Sequence, residues 1–193
     1  MINIAFALII LLPFSGFTQK KKENHLAYRY GFGLGLHEGG SETGIGVLGS
    51  FGIIKSIGKK KKSRLNANLA LGRFNGLFIT DIPNQKYSYF DINFNYHFDL
   101  LRYKAFSIVT SVGGHLCLTA GKVDDFYYKS GIFHPGYKFV HPYLMASVSG
   151  GLRFAPKTSN IAFEICPFHF QLGTNYSDLG KVSISLDYQI NRK

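Results

Sequence analysis

Residues 90–100 alternate without a break. Phe90, Ile92, Phe94, Tyr96, Phe98 and Leu100 are apolar, and Asp91, Asn93, Asn95, His97 and Asp99 between them are polar. A helix would scatter the apolar set around its circumference, whereas a strand puts all of it on one face. Period two is the feature that most limits how this chain folds. It returns in seven further segments, 26–36, 44–53, 65–72, 106–118, 144–154, 161–166 and 182–190. Most run to about 9–14 residues, longer than the roughly 5–6 of an average globular strand and close to the about 9–11 that a tilted membrane strand needs.

The second face of these segments carries Gly, Ser, Asn and a few charges rather than bulky apolar groups. Composition agrees: 46% of residues are hydrophobic and 17% charged, with 22 Gly, 12 Tyr and 18 Phe. That excludes a disordered chain, which is charged and poor in aromatics. Apolar outside and polar inside is the pattern of a transmembrane barrel. A soluble exported barrel of the lipocalin type would invert it. In hydrocarbon only a closed sheet leaves no backbone group unpaired. The expected fold is therefore all-β, an eight-stranded antiparallel up-and-down transmembrane β-barrel with its apolar face outward, formed by residues 19–193.

Residues 4–17 are almost wholly apolar, are interrupted by Pro13 and precede a polar KKKEN stretch. They are too few to span a bilayer, which takes roughly 20. Residues 1–18 read as a secretory signal peptide cut between Thr18 and Gln19. With both ends of the barrel in the periplasm, the outer loops are 37–43, 75–85, 119–140 and 173–180. The periplasmic turns are 55–63, 99–105 and 155–159.

The net charge is +11. This topology places most of it at the periplasmic end: Lys20, Lys21, Lys22, Lys55, Lys59, Lys60, Lys61, Lys62, Arg64, Arg102, Lys104, Lys157, Arg192 and Lys193 against Glu23 and Asp99. The outer side is balanced, and includes Glu42 and Lys181. The cluster 59–62 suits anionic phospholipid headgroups. Export and the lipid-facing aromatics argue against a nucleic-acid partner.

Inside the barrel the pattern places Arg29, Arg153, Asp91, Glu164 and Asp187. Eight strands enclose just enough space for their own side chains, so these charges should pair and plug the lumen. Arg29 and Asp187 lie at similar depth on the first and last strands, as do Arg153 and Glu164 on the sixth and seventh. The longest outer loop holds Phe126, Tyr127, Tyr128, Phe133, His134 and Tyr137, a candidate binding surface on a rigid scaffold. Cys117 and Cys166 point inward on strands two apart, roughly 10 Å, beyond the reach of a disulfide. With His115 and His169 they form no recognisable metal signature. No metal, cofactor or catalytic residue is expected.

The stretch FEICPFHFQLGTNYSDLGKVSISLDYQI resembles the C-terminal end of the outer-membrane lipid A deacylase barrels. That resemblance implies an ester hydrolase with a Ser–His–Glu triad on the outer wall. His169 matches the base, and its parity with Ile165 puts it on the outward face. Gln171, Leu172 and Ser183 stand where Ser, Asn and Glu would be. A bulge at Pro167 would turn His169 inward beside Ser183. More broadly, the mature chain resembles the small bacterial outer-membrane β-barrel domain family, the OmpA/OmpX-like barrels. Its closing strand VSISLDYQI, with Tyr188 and Ile190, resembles the signal read by the barrel assembly machinery. The resemblance implies outer-membrane lipids as surroundings. The expected function is a non-enzymatic outer-membrane barrel with a structural or loop-mediated binding role. A lipid A-modifying esterase, a narrow channel and an exported soluble barrel are the alternatives.

Overall fold

The computed structural model describes residues 26–40, 42–58, 62–76, 85–123, 127–129, 132–156, 158–174 and 177–190. The signal segment and its cleavage point lie outside them. Eight long strands form a closed barrel: β1 (Leu26–Glu38), β2 (Thr43–Ile57), β3 (Ser63–Gly76), β4 (Gln85–Tyr103), β5 (Phe106–Val123), β8 (Lys138–Phe154), β9 (Ile161–Gly173) and β10 (Asp178–Gln189). Each pairs antiparallel with its chain neighbours, and β1 closes the sheet on β10. The short β6 (Tyr127–Lys129) and β7 (Ile132–His134) pair as a separate hairpin in the longest loop.

All eight alternating segments fall on barrel strands, the last overrunning β10 by Ile190. The apolar members face out, as with Phe32, Phe94, Leu152 and Ile184, which are 52–60% exposed. Such a belt is stable against lipid and costly in water. The strands run farther toward the long loops than the alternation does. There the inward side chains are themselves aromatic, namely Tyr87, Tyr89, Phe139 and Tyr143, so in β8 apolar residues occupy both faces and in β4 the pattern inverts, with Lys86 and Ser88 outward.

At the other end connectors are short. Tyr103 pairs with Phe106, and Lys104 between them has φ 53°, a left-handed conformation that a two-residue hairpin needs. Two bulges change the phase of a strand. Leu100 is the extra residue of β4, so Asp99 keeps the inward face of the alternation while Leu100 and then Leu101 both face out. In β9 the register slips against both β8 and β10 around Pro167. Proline has no N–H to give the ladder, so a bulge is where a central strand tolerates it.

Candidate functional site

The polar residues of the alternation fill the lumen in three layers. Nearest the short turns is a charged cluster centred on Glu164. Its carboxylate lies 2.6 Å from Arg29, 3.4 Å from Arg153, 3.6 Å from Arg64 and 3.5 Å from His97. Asp187 pairs with Arg29 at 3.4 Å and with Arg153. Asp99 pairs with Arg64 at 2.9 Å and Arg102 at 3.0 Å. The expected Arg29–Asp187 and Arg153–Glu164 contacts are both present, and Arg29 and Asp187 are register partners.

Four charged positions assigned to a surface need correction, three of them here and Glu42 below. Arg64 and Asp99, assigned above to the periplasmic surface, are buried in this cluster. In β3 the outward phase belongs to Leu65 and Leu69, which sends Arg64 inward. Lys181, assigned to the outer side, lines the lumen instead. It pairs in register with Gly35 and His169. The lumen thus sets Arg29, Arg64, Arg153 and Lys181 against Asp91, Asp99, Glu164 and Asp187.

Above the charged cluster is a polar cavity of about 70 Å³, lined among others by Asn66, Asn68, His97, Cys166, His169 and Lys181. It has room for several waters at roughly 10–15 Å³ each. The carbonyl oxygens of Asn66 and Asn68 have no protein donor, and water there would satisfy them.

His169 belongs to this layer, not to the lipid face. The bulge at Pro167 exposes Phe168 and Phe170 and turns His169 and Gln171 inward, where the Gln171 Nε2 lies 3.1 Å from the His169 ring. The outward base that the deacylase resemblance implied is therefore absent from the wall. Cys117 and Cys166 also face inward, and neither is bridged.

Asp91 does not join the arginine cluster. Its Oδ2 lies 2.9 Å from His115 Nδ1, and His115 Nε2 lies 2.8 Å from Ser147 Oγ. These are the residue types of a hydrolytic triad, but proton accounting disarms them. Asn93 Nδ2 donates to Asp91, Asn95 Nδ2 donates to Asn93 Oδ1, and so Asn95 presents Oδ1 to Ser147 at 3.2 Å. The Ser147 hydroxyl spends its proton on Asn95 and accepts from His115 Nε2–H. A nucleophile needs the opposite arrangement, with its proton aimed at the base.

At the long-loop end His37, Phe74, Tyr87, Tyr89 and Tyr143 pack against one another as a buried aromatic plug of side chains. Phe74 stacks on Tyr87 at 5.3 Å. Gly46 makes room for it: a Cβ there would meet the Phe74 ring at 2.6 Å. Over the plug folds Glu42, assigned above to the outer surface but buried in the structure. It accepts from Tyr143 Oη at 2.7 Å, from His141 Nδ1 at 2.9 Å and from Thr119. Burial favours the neutral acid, but these donors outweigh it and hold the carboxyl below its usual range.

A group whose folded pKa is lowered stabilises above its unfolded value and loses that contribution as pH falls through the folded one. The loop carrying Glu42 should therefore be held at neutral pH and released below the ordinary carboxylate range. Hydrogen-exchange protection at Gly39 and Thr43, whose amides bond Glu42 O and Gln85 Oε1, should fall there. Glu42→Gln should lower it at neutral pH and remove the pH dependence.

Of the candidate loop residues, Tyr127 and Tyr128 lie on β6 and Phe133 and His134 on β7. Tyr137 is half-exposed beside Phe139. Phe126 lies outside the described residues.

No protein-family model matches this sequence, and no curated relative does. Solved structures do. The chain superposes on Neisserial surface protein A with a TM-score of 0.62 at 10% identity, covering 86% of this chain and 97% of that one. The fold is that of the eight-stranded outer-membrane β-barrels. A second likeness is to Ail, the attachment invasion locus protein of Yersinia pestis, at TM-score 0.51 and 10% identity, over 88% of this chain and all of that one. Ail is also seen in complex with the heparin analogue sucrose octasulfate, which matches at 11% identity. At such identities the likeness speaks to fold alone.

Proposed function

We propose that this protein is a non-enzymatic integral barrel of the outer membrane whose lumen is plugged and whose outer loops or rim do its work. What supports the reading is a pair of buried side-chain clusters in the lumen, ion-paired at one end and aromatic under Glu42 at the other. A barrel built so is a rigid stake in the membrane rather than a conduit. The exposed apolar belt supports lipid as its surroundings.

The rim supports an anionic partner. Lys86, Lys122 and Lys138 are successive register partners across β4, β5 and β8, all outward and exposed at the long-loop end. This row of positive charge faces the depth of the outer-leaflet headgroups, which are the anions it would attract. The β6–β7 hairpin is the segment best placed to meet a partner beyond the membrane, though its ligand has no signature in the chain. Folding into the membrane by the barrel assembly machinery follows from the same reading.

Two features weigh against an esterase: His169 turns into the lumen instead of the wall, and Ser147 of the relay gives its proton to Asn95. Mass spectra of lipid A from cells with and without the protein should therefore be identical. Loss of an acyl chain on expression, abolished by His169→Ala, would overturn the reading.

A further inference from the structure

The relay described above leaves one place unresolved by protein hydrogen bonds alone. His115 Nε2 must carry a proton, because Ser147 has none left to give. A neutral His115 then turns a lone pair at Nδ1 toward Asp91 Oδ2, which is also an acceptor, at 2.9 Å. Two acceptors at that distance require a positive charge between them, either a proton or a metal ion. Cys117 borders the same spot. It is the register partner of Asp91, and its Sγ lies 3.5 Å from Asp91 Oδ1. The three donor atoms all lie within 4.8 Å of one another, and the three residues are buried.

We propose that Asp91, His115 and Cys117 form a binding site for one thiophilic divalent metal ion of the zinc class, inside the barrel. Metal–ligand bonds of roughly 2.0–2.3 Å place tetrahedral donors about 3.3–3.8 Å apart. Asp91 Oδ1 already lies at that spacing from Cys117 Sγ, while the other oxygen, Oδ2, faces His115 Nδ1, so the carboxylate must turn one oxygen toward both and part from the imidazole by a few tenths of an ångström. Met145 Sδ, 3.5 Å from Cys117 Sγ, adds a thioether beside the three. Carboxylate, imidazole, thiolate and thioether together disfavour magnesium and calcium, which take oxygen.

The outer support is that of a metal-bound histidine. Ser147 accepts from the far ring nitrogen and is itself held by Asn95, which fixes the tautomer that frees Nδ1. The exchange also balances in charge. Entry of one divalent ion expels the proton between Asp91 and His115 and the thiol proton of Cys117. Two positive charges leave as two arrive, so the buried layer holding Lys181, His169 and Tyr89 feels no new net charge. The sequence alone hides this site because Asp91 sits on a different strand from His115 and Cys117, and only the β4–β5 register brings them together. The site is independent of the non-enzymatic reading, since a structural ion needs no substrate.

The test is to refold the untagged barrel from urea into detergent with Co(II) as the only metal added, so that the closed lumen does not bar entry. About one Co(II) per chain should be retained, with a thiolate-to-cobalt charge-transfer band that Zn(II) erases. Cys117→Ser should abolish the band and Cys166→Ser should keep it, folding being checked by the gel mobility of the unheated barrel. Should Cys117→Ser not fold, His115→Gln carries the same test. Ser147→Ala should weaken retention by roughly 10–100-fold. Absence of the band in refolded wild type, its survival in Cys117→Ser, or retention unmoved by Ser147→Ala would each overturn the proposal.

Discussion

Glu164→Gln is expected to cost the barrel about 3–5 kcal/mol of stability, because it leaves buried cations without their shared partner. Glu164 is the hub of its layer. Arg29 at 2.6 Å, Arg153 at 3.4 Å and Arg64 at 3.6 Å all converge on one carboxylate. Asp187 and Asp99 remain after the change, so three buried guanidiniums face two acids, one of which also holds the half-exposed Arg102. The penalty comes from the stranded charge and not from the lost contact, which fixes the form of the control. Adding Arg29→Gln removes the surplus cation and leaves Arg153 on Asp187 and Arg64 on Asp99. The double variant should therefore be more stable than Glu164→Gln alone. Equilibrium unfolding in urea, followed by circular dichroism since the chain has no Trp, measures both. Losses that simply add would show that the arginines do not depend on Glu164.

How much of this was legible beforehand depends on which physical rule governed each residue. Lipid imposes a strict rule on the outer face, and the residues obey it. Phe90 to Phe98 in β4 alternate faces as the bare pattern requires, and so does Val182 to Ile184 in β10. Closure of the first strand on the last followed from the even count. The depth match of Arg29 and Asp187 followed from antiparallel geometry.

Legibility failed where a single extra residue resets the phase. Parity counted from Ile165 sends His169 outward, but the bulge at Pro167 sends it inward. Proline was the visible signal, since it cannot complete a ladder. Leu100 in β4 carries no such signal. The alternation stayed hidden at the strand ends, where inward tyrosines replace inward asparagines. Arg64, Asp99 and Lys181 were assigned to the surface because they flank turns or loops, yet their strands extend past those points and take them inside. The Asp91–His115–Cys117 group and the folding-in of Glu42 over Tyr143 depend on cross-strand register and loop path. No local pattern encodes either.

Phe94→Arg should cost about 2–4 kcal/mol, the penalty of an arginine on the lipid face near mid-membrane. Phe94 is 52% exposed in the barrel and lies between Ala67 and Gly114 on the flanking strands. Those small neighbours offer neither an anion nor a polar atom, and the nearest loop is several residues away along either strand. An arginine there must drag water into hydrocarbon or snorkel the length of its chain. The adjacent position supplies the contrast. Asn95 points into the lumen, where Asn93 and Ser147 hydrogen-bond to it. Asn95→Ser keeps a polar group beside a polar cavity, so its cost should be near that of one net hydrogen bond, about 1 kcal/mol. Both variants are compared by unfolding in lipid vesicles, where the host bilayer supplies the penalty. In water a surface arginine is harmless and a buried serine for asparagine is the worse change. The order of the two costs therefore reports which face of β4 meets lipid, and a reversed order would mean that the barrel is a soluble one turned inside out.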